Sequence, residues 1–217
     1  MKIKICGIRN VEEAQQIYSL RPDAIGILVQ YNKDYAANTV SQEFARRIVE
    51  ATPSYINVFI LTEKADAESN IAYCRSIGNR YIQLTGDIPP EEIDKIKEEL
   101  PYLGIIKVIH VTGEEALGVA KLYEACDSVD ELLLDSRIGR KSGGTGRIHD
   151  WELSRRIVEE SRKHVWLAGG LTTKNLREAI ETVRPYGVDV ETGVQNTDGS
   201  KNYDLIREFI SVARSFD

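Results

Sequence analysis

Cysteine and histidine are scarce in this chain, three of each among 217 residues, and that scarcity removes several classes of protein at once. Cys6, Cys74 and Cys126 are odd in number and widely spaced, with no CxxC and no Cys/His cluster at zinc-ligand spacing. Neither a disulfide framework nor a metal site is expected, and free thiols in a reducing compartment are. No apolar run reaches the ~18 residues of a membrane span. Lys2 and Lys4 interrupt the first apolar residues, so no signal peptide is expected and the predicted location is cytoplasmic, with no membrane partner. A basic stripe is also missing: the net charge of −6 comes from interspersed acids and bases, which argues against a nucleic-acid partner. No linker, low-complexity stretch, composition break or internal repeat divides the sequence, which predicts one domain over 1–217.

What is present is an ordinary globular composition, 42% hydrophobic and 29% charged. A chain of this length buries roughly 70% of the surface its unfolded form exposes, enough to fold without staples. Eight short β-rich runs stand out: KIKIC (2–6), DAIGILV (23–29), YINVFIL (55–61), RYIQL (80–84), GIIKVIHV (104–111), ELLLD (131–135), HVWLA (164–168) and GVDVE (187–191). Each is followed by a helical run in which apolar residues recur at three and four, as in QEFARRIVEAT and YDLIREFISVARSF. In PPEEI, proline and two acids occupy a first turn, where missing donors and the helix dipole favour them. Eight β-then-α units are the plan of a small (β/α)8 TIM barrel, with an open doubly wound sheet as the rival.

In such a barrel, function belongs at the C-terminal ends of the strands. The first strand alternates Ile3 and Ile5 with Lys2, Lys4 and Cys6, so one face is polar, and a polar face on a buried strand needs a reason. Strands seven and eight end in LAGGL and VETGV, which put Gly169, Gly170, Thr192 and Gly193 where backbone N–H groups can cradle a phosphate. Glycine used only for turn geometry is the plainer alternative. Gly144 and Thr145 in GRKSGGTGR, and Gln83 in QLTG, complete the candidate substrate- and phosphate-binding set. Asp135, after three leucines, lies where burial would raise its pKa and make it a candidate general acid. Cys6 is either a small core residue or the other half of a reactive pair; Cys74 and Cys126 fall in helical patterns and read as core. Lys4 can either lower the thiol pKa or pair with an inward Asp189, the plainer role. His110, His149 and His164 form no ligand-like cluster.

KICGIRN, LLLDS with GGTGRIHDW, LAGGLTTKN and VDVETGVQ followed by DGSKN together resemble the phosphoribosylanthranilate isomerase family of tryptophan biosynthesis, in order and over the whole chain. The resemblance implies a small (β/α)8 barrel and a cofactor-free Amadori rearrangement of a phosphorylated sugar-amine. It implies that Cys6 is the general base removing the sugar C2′ proton, and that Asp135 is the general acid opening the furanose ring. Three rim positions depart from the family pattern. Asn38, in YNKDYAANTV, stands where the family has an arginine facing the anthranilate carboxylate; Lys33 can replace it only as a point charge. Thr85 stands in a histidine's position, and Glu191 in a serine's. A paralogous isomerase acting on another phosphoribosylamine and a non-catalytic ligand-binding barrel are therefore the alternatives, and monomer and homodimer are both open.

Overall fold

The computed structural model describes residues 1–29, 39–138, 141–142 and 149–217. Chain order is β1 (Lys2–Ile5), α1 (Val11–Tyr18), β2 (Ala24–Val29), β3 (Thr39–Val40), α2 (Gln42–Ala51), β4 (Asn57–Thr62), α3 (Ala67–Ile77), β5 (Tyr81–Leu84), α4 (Pro90–Glu99), β6 (Gly104–His110) and α5 (Glu115–Glu124). Then come β7 (Glu131–Asp135), β8 (Arg137–Ile138), β9 (Lys141–Ser142), α6 (Trp151–Glu160), β10 (His164–Leu167), α7 (Leu176–Val183), β11 (Gly187–Val190) and α8 (Tyr203–Arg214). The parallel strands run in the order β1-β11-β10-β7-β6-β5-β4-β2, and β1 pairs with β2 to close the ring. This is a (β/α)8 barrel, and all eight expected strands form it. Two features go beyond the sequence reading: β3 extends the end of β2, and β8 with β9 forms an antiparallel ribbon after β7.

Five of the eight helices begin where a short polar side chain, Asn10, Ser41, Asp66, Asp150 or Asn202, takes over orphan N–H groups of the first turn. Asn10 accepts from Glu13 N at 2.7 Å, Asp66 from Ser69 N at 2.7 Å, and Asp150 and Asn202 each accept from two backbone N–H groups. Each cap stops the loop that leaves a strand and fixes the length of chain available at the barrel mouth.

Strand alternation sorts the core into two layers. Ile3, Ile5, Ile25, Ile27, Ile60, Leu132, Leu134 and Val188 belong to the layer packed beneath the helices. Cys6, Leu28, Phe59, Leu61, Ile106, Leu133 and Trp166 form a separate cluster inside the ring. The polar face of β1 is thus the inward face, and its isoleucines point out to the helices, each burial contributing about 1.5–3 kcal/mol. Lys4, fully buried, is the reason that face is polar: its ammonium meets Asp189 Oδ2 at 2.9 Å and donates to Gln83 Oε1. At the other end of the barrel, Asp23 gathers Lys2 Nζ (2.9 Å), Ile3 N (3.0 Å) and Arg214 Nη2 (2.7 Å), tying α8 to the β1–β2 seam. Among the described residues, no helix is long and apolar enough to cross a membrane.

Candidate active site

Cys6 leaves the end of β1 with its backbone N–H on Val190 O at 2.8 Å, and its side chain is 3% exposed. Its sulfur lies against Gly26 of β2, where an added Cβ would stand 2.6 Å from Sγ, so only glycine leaves the thiol its place. Asp135 ends β7, three steps from β1 around an eight-stranded ring, so the two groups face one another across the mouth. Ser136 N donates to Asp135 Oδ1 at 2.7 Å. Gly169, at φ +81°, leaves room for this contact, because a Cβ there would come within 2.6 Å of Ser136 N and 2.9 Å of Asp135 Oδ1.

Both groups hold their protons tightly. Burial, reinforced by Asp189 and Glu191, raises the Asp135 carboxyl from 3.8 to about 7, while the Ser136 N–H and Lys4 pull the other way. The carboxyl is therefore partly protonated at neutral pH, as its place after three leucines suggested. Burial and then Asp189 also push the Cys6 thiol well up, and Glu191 adds to them; Lys4 and Lys201 pull it down without overcoming them. Lys4 thus takes the structural role, paired with Asp189. Burial disfavours its charge, and Asp189, Cys6 and Asp135 together outweigh that and hold the ammonium above its ordinary range.

The candidate phosphate cradle is built from two touching loops. Gly169 and Gly170 have φ of +81° and +69°, a region open to glycine. Thr192 and Gly193 begin the 3-10 turn Thr192–Val194 after β11, and a Cβ on Gly193 would lie 1.9 Å from Leu171 O. Asn175 fastens the first loop, accepting from Thr172 N (2.7 Å) and donating to Gly170 O (3.0 Å). Among the described residues, the N–H groups of Gly169, Gly170, Thr192 and Gly193 have no backbone acceptor. Four donors on two adjoining loops are the pattern that an anion can satisfy.

Gln83 is buried and accepts from Lys4, below the mouth rather than on its rim. Thr85, also buried, donates its N–H to Thr62 O at 2.9 Å, and its carbonyl oxygen lies 3.2 Å from His110 Nε2. Gly144, Thr145, Lys33 and Asn38 lie outside the described residues. Lys201 was missed by sequence reasoning: it is 4% exposed and donates from Nζ to the Cys6 carbonyl. Its only signal was a lysine in the DGSKN run after strand eight. Among the described residues, no three His, Cys, Asp or Glu side chains converge as metal ligands would. A concave patch of about 340 Å³ opens at the opposite, N-terminal end around Tyr81 and Tyr102. There Lys97 is paired with Asp130, and Glu131 accepts from Trp166 Nε1, so acid–base chemistry is not assembled at that end.

A family model described as N-(5′-phosphoribosyl)anthranilate (PRA) isomerase matches residues 3–212. The N-(5′-phosphoribosyl)anthranilate isomerase 2 of Methanosarcina mazei is 36% identical over 219 residues, covering 99% of this chain and 95% of that protein. Among solved structures, phosphoribosyl anthranilate isomerase from Thermotoga maritima superposes with a TM-score of 0.86 at 31% identity, covering 99% of both chains. Another, solved with reduced 1-(o-carboxyphenylamino)-1-deoxyribulose 5-phosphate, superposes with a TM-score of 0.82 at 30% identity and 99% coverage of each chain.

Proposed function

The chain belongs to the N-(5′-phosphoribosyl)anthranilate isomerase family, and from that membership we propose that Cys6 and Asp135 carry its reaction as general base and general acid. The protein is an isomerase of tryptophan biosynthesis. It converts N-(5′-phosphoribosyl)anthranilate to 1-(o-carboxyphenylamino)-1-deoxyribulose 5-phosphate by an Amadori rearrangement.

The reaction needs one proton delivered to the furanose oxygen and another removed from C2′, with the sugar held between the two groups. Asp135 donates to the ring oxygen; the C1′–O bond breaks and the nitrogen lone pair forms the C=N bond of a Schiff base. The Cys6 thiolate then takes the C2′ proton; the C–H electron pair forms the C1′=C2′ bond and the C=N π pair returns to nitrogen, which gives an enolamine. Protonation at C1′ and loss of the enol proton give the aminoketose, so atoms and electrons balance without a co-reactant. The observation that supports these roles best is the pair itself: an acid raised to about 7 across the mouth from a buried thiol. Because the thiol is raised further than ordinary, the productive form, thiolate with protonated Asp135, is the minor one of two singly protonated states.

The phosphate end of the substrate is assigned to the N–H groups of Gly169, Gly170, Thr192 and Gly193, and Gly144 and Thr145 keep their sequence-based assignment to substrate binding. Lys33 and Asn38 are assigned to the anthranilate carboxylate. Free thiols at Cys6, Cys74 and Cys126 support a cytoplasmic setting. The test is turnover of freshly prepared phosphoribosylanthranilate, followed as loss of its fluorescence beside heat-treated protein. Turnover by the native protein alone is expected. Its absence, with phosphate still bound, would move the substrate to another phosphoribosylamine.

A further inference from the structure

Thr85 stands one residue beyond β5 with its backbone fixed on both sides. Its N–H continues the β4–β5 ladder to Thr62 O at 2.9 Å, and its carbonyl oxygen lies 3.2 Å from His110 Nε2. Along β5, Tyr81 and Gln83 face the inside of the ring, Tyr81 against Phe59 and Gln83 on Lys4, while Ile82 and Leu84 pack beneath the helices. One more step of that alternation turns Thr85 inward, above Gln83 at the mouth. The residue is 5% exposed, and among the described residues its Oγ1 is buried without a hydrogen-bond partner. A buried hydroxyl left in that condition destabilises the fold, so a role toward a ligand is the explanation to test.

We propose that Thr85 is a specificity-determining residue whose hydroxyl donates a hydrogen bond to the carboxylate on the substrate's aromatic ring. The proposal rests on the reaction and the phosphate assignment given above.

The place of β5 in the ring identifies the group that meets Thr85. β5 is four steps from β11 in either direction, so Thr85 stands across the mouth from the turn that carries Thr192 and Gly193. A substrate with its phosphate on that turn and its sugar between Asp135 and Cys6 carries its aromatic ring over to the β4–β5 side. Leu61 of β4 and Val108 of β6, both in the inner apolar cluster, flank Thr85 there and offer the ring a surface to pack on. The polar substituent on that ring is a carboxylate, which accepts hydrogen bonds and donates none. A threonine hydroxyl supplies the donor, and the strand ladder holds it in place.

The test reads binding, so it does not depend on turnover. Calorimetry compares the reduced form of the product, reduced 1-(o-carboxyphenylamino)-1-deoxyribulose 5-phosphate, with its phenylamino analogue lacking the carboxylate, and inorganic phosphate serves as the control. Thr85→Val, which removes the hydroxyl and keeps the branched shape, should bind the carboxylated compound about tenfold more weakly than wild type. Its affinity for the analogue and for phosphate should stay at the wild-type level, and Thr85→Ser should keep the carboxylated compound near wild type. A second measurement separates this role from a structural one. Without ligand, Thr85→Val should unfold at a higher urea concentration than wild type, because it removes a buried hydroxyl that the fold leaves unpaired. A lower urea midpoint, or an undiminished preference for the carboxylated compound in the folded variant, would overturn the proposal. Thr85→Ala gives the same binding comparison if Thr85→Val does not fold. Wild type that binds both compounds equally would instead count against anthranilate as the aromatic group of the substrate.

Discussion

An acid kept protonated by burial must destabilise the fold once it ionises, and Asp135 makes that trade measurable. In the unfolded chain this carboxyl ionises near 3.8, and in the barrel at about 7. At about 1.4 kcal/mol per pH unit, the difference corresponds to roughly 4 kcal/mol. Asp135 reaches solvent at the mouth, and screening there reduces the expected figure to about 2 kcal/mol. The sign follows from which state binds the proton. Below about pH 4 both states are protonated and nothing is lost. Between about 4 and 7 the unfolded chain has released the proton while the native state keeps it, so wild-type stability falls across that window and levels off above it. Asp135→Asn removes this dependence and keeps an oxygen acceptor for Ser136 N–H. Urea unfolding of both proteins from about pH 4 to 8 should show the variant gaining about 2 kcal/mol on wild type, or roughly 4–8 °C in Tm at this chain length. Stability curves that run parallel across that range would refute the burial argument.

Gly26→Ala would place a methyl 2.6 Å from Cys6 Sγ; kcat should fall sharply in a folded protein while inorganic phosphate still binds, and unchanged kcat would show that the thiol position is not critical. Gly193→Ala would drive a Cβ to 1.9 Å from Leu171 O; a loss of about 1–3 kcal/mol is expected, with loss of the thermal protection that phosphate gives wild type, and preserved protection would put the phosphate elsewhere. Lys4→Met leaves Asp189 buried without its cation and should cost about 3–5 kcal/mol by urea unfolding, much of it recovered in Lys4→Met/Asp189→Leu. No recovery in the double variant would show that the pair serves packing rather than charge.

The barrel was legible because each strand keeps its own signal: runs such as IGILV and VFIL are apolar on both faces, as parallel strands buried on both sides must be. The β1 pattern gave the period but not the direction, since alternation does not say which face turns inward. Lys4 settled that by meeting Asp189, 185 positions later in the chain, across the β1–β11 register. The β8–β9 ribbon escaped notice because two-residue strands in RIGRKS carry no periodicity. Asp135 and Cys6 were readable from strand-end position, and the rise of the Asp135 carboxyl from the leucines before it. The rise of the thiol was not, because it comes from burial first and then from Asp189 on, and Glu191 just after, a strand that only the closed barrel brings beside it. Lys201 was invisible for the same reason: a lysine near a chain's end says nothing of a cysteine near its start until α8 returns to the β1 seam.

The claim that Cys6 is the base of an Amadori isomerase is tested most directly by turnover of phosphoribosylanthranilate in Cys6→Ser. Serine is nearly the size of cysteine, so the variant should keep the wild-type fold and phosphate binding, both checked on the same preparation. An alcohol in place of a thiol cannot supply the base at any working pH, and kcat should fall by about a thousandfold. Wild-type-like turnover in that folded variant would contradict the account.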